Sequence, residues 1–392
     1  MTYPSIRPAL TLDFANSKKL DNRIAFSRSS IGTYVDSSGL IKTAPVNVAR
    51  FDHDSTGKPL GLLIEELRTN YIPNSTDFTG WSQVSGASIA LSSAVTAPDG
   101  NTSSSLFTAD DNTGYATVSY IIPGNTNAYL TLFVKAANES VFQLSSSRST
   151  TMRGLFDMTT GLWSSTVGSA DDYAAEAYPN GWWKLTVKGF IGGTSTIILY
   201  IAGPNITSAG TDAFYMWGAQ VEHGSFPTSY IPTAGSTVSR SKDVAQITGT
   251  NFSSWYNQNE GTIQVKYGSA TNTSSNHKRL VSIGDSSSDS MSADNGIMYG
   301  SHNPSTSTRW RLRNGSSILN FALASPAALS SAIAYEDDNL AVSYDGETVL
   351  TNNSYTISTL PSRLDVHPNG HISRLSYYNE RLTDAALQQL TK

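Results

Sequence analysis

Short apolar runs cut by turn chemistry constrain this chain more than any other feature. Between Phe26 and Asn74 the runs Thr33–Val35, Leu40–Ile41 and Leu60–Ile64 are separated by SSG and DSTGKP. Each run is too short for a helix, and Gly, Pro, Asp and Ser at the breaks set turns, so the segment predicts β-hairpins. The rhythm continues downstream. Apolar–polar alternation recurs at Ala116–Ile122, Tyr129–Ala136, Val141–Ser145, Trp183–Phe190, Thr196–Ala202 and Phe214–Glu222, with PDGN, ADDNTG, PGNTN and YPNG among the breaks. Many short strands at that spacing predict an antiparallel sandwich or jelly roll.

After a polar linker, TAGSTVSRS, a further series of strands is expected at Gly261–Tyr267, Arg279–Ile283, Gly296–Tyr299, Thr308–Arg313, Asn339–Tyr344, Glu347–Asn352 and Gly370–Tyr378. Asp345-Gly346 is a strong two-residue hairpin signal. Only the last residues switch to a helical period. Thr383 is placed to cap a short helix, Asp384 sits at its positive end, and Ala386, Leu387 and Leu390 form its apolar stripe. The expected fold class is therefore all-β: an N-terminal hairpin-rich module over residues 1–75, then two antiparallel β-sandwich (jelly-roll) domains, 76–235 and 236–392, with a short C-terminal helix.

Composition narrows the function. Charged residues are 15% of 392, while aromatics reach 10%, which rejects a disordered chain and fits a turn-rich β protein. Residues 1–75 carry 9 basic and 7 acidic side chains, 76–235 carry 5 and 11, and 236–392 carry 12 and 13. No region has the basic excess that phosphate binding needs, so nucleic acid is not an expected partner. No run approaches the ~20 apolar residues of a membrane span, so no membrane is expected either. With no cysteine, disulfides, thiolate zinc sites and cysteine nucleophiles are excluded together. The N-terminal residues lack the apolar core of a signal peptide.

Catalytic chemistry has little to stand on. None of the six histidines lies in a helical H-E-x-x-H arrangement, and His367 and His371 are separated by Pro368-Asn369-Gly370, which forbids a shared helical face. Glu65-Glu66 is the nearest acidic pair, but strand alternation would point its members to opposite faces. Asp and Asn clusters are candidate calcium ligands, with Asp99, Asp110, Asp212 and Asp285 the carboxylates to watch; the plainer reading is that they make turns. Flat aromatic rings suit the C–H faces of sugars, and Trp163, Tyr173, Trp183 and Trp310 are the candidate glycan contacts; the plainer reading is that they fill cores. Trp182 and Trp183 are consecutive, so on a strand one faces in and the other out. Trp217 reads as core. The stretch RWRLR, Arg309–Arg313, would put three cations on one strand face, open to an anionic sugar or simply to water.

Several of these segments also carry resemblances. The run F-R-S, GTYVD, GLIKTA, RFDHD, GLLIEE, RTN resembles the leading module of tailed-bacteriophage and prophage tail proteins. DAFYMWGAQVE at Asp212–Glu222 and NGWWK at Asn180–Lys184 resemble strands of carbohydrate-binding-module jelly rolls, and HGSFPTSYIPT resembles the exit segment that follows them. The ending YYNERLTDAALQQL resembles the close of laminin-G and concanavalin-A-like lectin domains. The resemblances imply a virion structural protein made in the host cytoplasm and exposed on the particle, a tail fibre or tail-associated adhesin that binds host surface polysaccharide. They also imply other virion proteins as partners, a homotrimer and a structural calcium. A decoration or other architectural role without glycan stays open. A polysaccharide-degrading enzyme is not expected, since the E-x-D-x-x-E strand of concanavalin-A-like glucanases is missing.

Overall fold

A computed structural model describes residues 6–84, 86–109, 116–122, 127–146, 153–169, 172–190, 195–202, 212–268, 278–284, 298–303, 307–314, 317–323, 329–355, 361–367 and 369–392. The chain is all-β, and among the described residues every strand pair is antiparallel. The predicted hairpins form. Gly32–Val35 pairs with Ile41–Ala44, and Arg50–His53 with Pro59–Glu65. Asp36 closes the first turn and Asp54 the second by accepting backbone N–H groups two and four residues ahead.

Two six-stranded sheets build the middle sandwich. Strands Asn127–Ala136 and Ala213–His223 lie side by side at the centre of one sheet. Val141–Ser146 and Ser195–Ala202 do the same in the other. Alternation sends Leu130, Leu132 and Val134 into the shared core with Phe107, Phe142, Phe156 and Leu199.

The second sandwich pairs an eight-stranded with a seven-stranded sheet. Here the expected boundary at residue 75 needs correction, because it does not separate two cores. Strand Asn369–Tyr378 takes Pro59–Glu65 against its first half and Leu10–Asp13 against its second. Ala25–Ser27 pairs with Val244–Thr248 in the other sheet. Leu10, Leu12, Phe14, Leu62 and Ile64 share one core with Ile263, Trp310 and Tyr377. The first segment is thus part of the C-terminal sandwich. The middle sandwich is inserted between Arg68–Asn70 and Val238–Arg240, which pair with each other where the chain leaves and returns. The reason is area: the residues after 240 would leave one edge of strand 369–378 unpaired and its apolar face open without the strands from residues 10–65.

The terminal helix is as expected. Asp384–Leu390 is capped by the Thr383 hydroxyl, which accepts from the Ala386 N–H at 3.3 Å, and it buries Leu387 and Leu390. At the hairpin turn Asp345 and Gly346 both take positive φ, 42° and 77°, the conformation that a two-residue reversal requires.

Candidate functional site

The two sandwiches meet around a buried ionic joint. Arg50 lies at the centre. It bonds Glu65 at 2.8 Å and Asp243 at 2.5 Å, and donates to the Thr33 carbonyl at 2.9 Å. Arg240 reaches Glu65 at 2.9 Å, and Arg28 reaches Asp243 at 3.0 Å. Ser229 donates its N–H and its hydroxyl to the two Glu65 oxygens, at 2.7 and 2.6 Å. Burial alone would raise the Glu65 carboxyl, but Arg240, Arg50 and the Ser229 bonds outweigh it and hold the group well below the usual carboxylate range. Asn70 makes four bonds: its amide donates to the carbonyls of Ala219 and Ile231, and its oxygen accepts from Ile72 and Val221. Apart from Ser229, which lies in HGSFPTSYIPT, these side chains belong to the R-S, RFDHD, IEE, RTN and SRSKD stretches. Their work here is to fix one sandwich on the other.

Glu222, from the inserted sandwich, is a second fully buried carboxylate at the joint. It accepts from the N–H and hydroxyl of Thr228 and from Gln220, with Arg68 at 3.6 Å. Burial raises its pKa, because these bonds and Arg240 compensate only in part.

Above the joint opens a cleft of about 360 Å³. Its walls come from five places, one of them the segment 226–230 that follows strand Ala213–His223. The outer face of the inserted sandwich supplies Thr131, Phe133, Tyr178 and Lys184; the first hairpin supplies Tyr34 and Ile41; the neighbouring strand pair supplies Asp52 and His53; Tyr267 and His371 come from the C-terminal sandwich. Strand alternation puts Thr131 and Phe133 on this face while Leu130 and Leu132 enter the core.

The carboxylates of the cleft are engaged. Asp52 accepts from the Val35 N–H at 2.5 Å and from His371 Nε2 at 2.7 Å. Asp54 makes its turn, Glu65 belongs to the joint, and Glu176 faces Lys184 at 3.8 Å. Two groups are not engaged. His53 Nδ1 donates to the Val35 carbonyl at 3.0 Å, but Nε2 of the same ring is buried without a hydrogen-bond partner, and so is Thr131 Oγ1. His53 is 5% and Thr131 3% exposed.

The structure distributes the sequence-predicted residues differently. Trp163, Tyr173 and Trp183 do come together, around Phe156 in the inserted sandwich. Trp163 lies 5.0 Å from the Phe156 ring and 5.2 Å from Tyr173, and Trp183 lies 5.7 Å from Phe156. They serve packing there. Tyr173 is buried with its hydroxyl bonded to the Arg153 N–H and the Val167 carbonyl, and Trp183 is half-buried with its indole N–H on the Met158 carbonyl. Trp310 stands apart in the C-terminal core, 1% exposed, and offers no ring face to a ligand. It and Leu312 point inward, while Arg309 and Arg311 of the same strand lie half-buried on the opposite face.

Trp182 and Trp183 divide as alternation requires, yet both pack: Trp182 is buried beyond the sheet with Ile41, Tyr178 and Trp217, donating to the Thr96 carbonyl. Asp99 makes a turn with Asn101, Asp212 is buried at the start of strand Ala213–His223, and Asp110 and Asp285 lie outside the described residues. Among the described residues no three His, Asp or Glu side chains converge as metal ligands. His367 bonds the Ser282 hydroxyl and His371 bonds Asp52, so the two histidines serve different contacts.

No family model matches the sequence, and no curated protein does. Among solved structures the chain aligns with Trypanosoma rangeli sialidase bound to the inhibitor DANA at 12% identity and TM-score 0.28, over 90% of this chain and 60% of the sialidase. It aligns with a tandem CBM22 domain of Paenibacillus barcinonensis Xyn10C at 10% identity and TM-score 0.25, over 81% of this chain and 96% of that one. Mouse laminin α1 domains LG4-5 align at 10% identity and TM-score 0.21, over 80% of this chain and 94% of the laminin fragment. The chain spans about three-fifths of the sialidase it matches. Scores this low fall short of a shared overall fold, so the function is argued from this chain's own residues.

Proposed function

We propose that this protein is a glycan-binding structural component of a bacteriophage virion, a tail fibre or tail-associated adhesin that binds host surface polysaccharide. The observation that carries the binding half is the cleft between the sandwiches, walled by rigid strands and tyrosines and holding two unpartnered polar groups. The virion half rests on the resemblance of the first segment. Binding without hydrolysis is the better reading of the cleft, because a glycosidase needs a protonated carboxylic acid facing the substrate. Asp52 and Glu65 are committed to bonds instead, and Glu65 is held ionised.

The proposal includes assembly as a homotrimer beside other virion proteins, with light scattering as its check. It includes a structural calcium only if the melting temperature rises with added calcium. An architectural role without glycan is the second reading. It is favoured by the burial of Tyr173 and Trp310 and by the packing of Trp163 and Trp183. A glycan array probed with the labelled full chain separates the two, and a reducing-end assay on the same glycans tests hydrolysis. Reproducible array binding without released ends is the expected result. An empty array favours the architectural reading, and released ends overturn the binding-only one.

A further inference from the structure

Both unpartnered groups of the cleft sit on its walls, and they come from different sandwiches. His53 lies on strand Arg50–His53, in the sheet of the C-terminal sandwich, and Thr131 on strand Asn127–Ala136 of the inserted one. In the tautomer with the proton on Nδ1, which the Val35 carbonyl requires, His53 presents an acceptor at Nε2, whereas the Thr131 hydroxyl both donates and accepts. Leaving such groups unpaired out of water is costly, and each calls for an explanation, an arriving partner being one of them. Both atoms are buried, so a ligand would have to displace lining side chains to reach them.

The lining also limits what that ligand is. Four carboxylates, Asp52, Asp54, Glu65 and Glu176, line the cleft; Arg50 and Arg240 balance Glu65 and Lys184 faces Glu176, which leaves Asp52 and Asp54 as the negative excess. An anionic sugar would meet repulsion there. Tyr34 is half-buried and supplies a ring surface for C–H faces, whereas Tyr178 and Tyr267 line the cleft from the buried edges of the adjoining cores; the volume falls at the small end of ligand pockets.

We infer that this cleft takes an uncharged sugar ring between the two sandwiches, with His53 and Thr131 reading its hydroxyl groups. The inference rests on the glycan-binding reading above and gives it a site and a sugar class. It also means that the nominated tryptophans are not the contacts.

Saturation-transfer NMR on the full chain tests it. The probes are the methyl glycosides of glucose, galactose, mannose and N-acetylglucosamine, with glucuronate and N-acetylneuraminate as charged comparators. Transfer to at least one neutral glycoside is expected, stronger than to either acid. Thr131→Val keeps the side-chain shape and removes the hydroxyl; His53→Gln is the second variant. Each is expected to weaken binding about five- to tenfold, with a melting transition for Thr131→Val no lower than that of the wild type. Neutral-sugar binding that neither variant weakens, or stronger binding of the acids, overturns the inference while leaving glycan binding in place. No binding in this panel overturns the inference, and an empty glycan array beside it removes the glycan-binding reading as well.

Discussion

The sandwiches and the joint between them are closed by opposite chemistry. Each sandwich is held by apolar and aromatic side chains that interdigitate between two sheets. The joint is held by Arg28, Arg50 and Arg240 against Glu65 and Asp243, all of them buried. Apolar burial stabilises in proportion to area and tolerates sliding. Buried ion pairs add little net stability over an apolar substitute, but they are costly to misalign. The comparison teaches that the cores make the sandwiches stable, whereas the joint fixes one sandwich in a single position on the other. The cleft depends on that position, since its walls belong to both.

The largest effects should come from breaking either side of this comparison. Glu65→Ala leaves Arg50 and Arg240 buried without their shared carboxylate and should cost about 3–5 kcal/mol in urea denaturation. Trp310→Ala empties a core position and should cost a similar ~3–5 kcal/mol. The two differ in their response to acid. Glu65 has a folded pKa below its unfolded value of about 4.3. Its contribution is therefore fully present above that value and is lost as pH falls toward the folded pKa. The wild type and Trp310→Ala should both lose stability through that acid range, and Glu65→Ala should show a flatter profile. Equal acid slopes in all three proteins would remove the distinction between core and joint.

Smaller changes sharpen it. Thr383→Ala removes the cap of the terminal helix, far from the joint, and should cost about 1 kcal/mol with no change in glycan binding. Glu222→Gln should have the smallest effect and the opposite sign. The folded pKa of Glu222 is raised, so its contribution is present below the unfolded value and lost as pH rises through the folded one. The amide should therefore stabilise the protein relative to wild type at neutral pH, and the advantage should vanish in acid. A destabilised Glu222→Gln at neutral pH would show that the charge, not only the hydrogen bonds from Thr228, holds that end of the joint.

The sequence made the strands legible because a period of two and turn residues are local properties. Asp345-Gly346, the Thr383 cap and the opposed faces of Trp182 and Trp183 could all be read from neighbours along the chain. The joint was not legible in the same way. Arg28 and Asp243 are 215 residues apart, and nothing local says that they touch. The wording of the first segment marked it as special, but strand pairing with residues 369–378 gave it a different role from a separate module. The site followed the same rule. Residue type marks the aromatics suited to sugars, but not that Tyr173 and Trp310 are buried, because burial depends on which sheet covers which face. A silent signal was available in RFDHD: an acid and a histidine end one short strand and a second acid makes the turn after it; a register shift between Asp52 and His53 lets both reach the Val35 backbone and line the cleft.

The central claim is that the first segment completes the C-terminal sandwich. Its most direct test is to express residues 236–392 alone and with residues 1–75 supplied as a separate chain, and to follow both by amide NMR and thermal melting. The account predicts poor dispersion and no cooperative melt for 236–392 alone, with dispersion and a transition gained on adding 1–75. A well-dispersed spectrum and a cooperative melt for 236–392 by itself would contradict it.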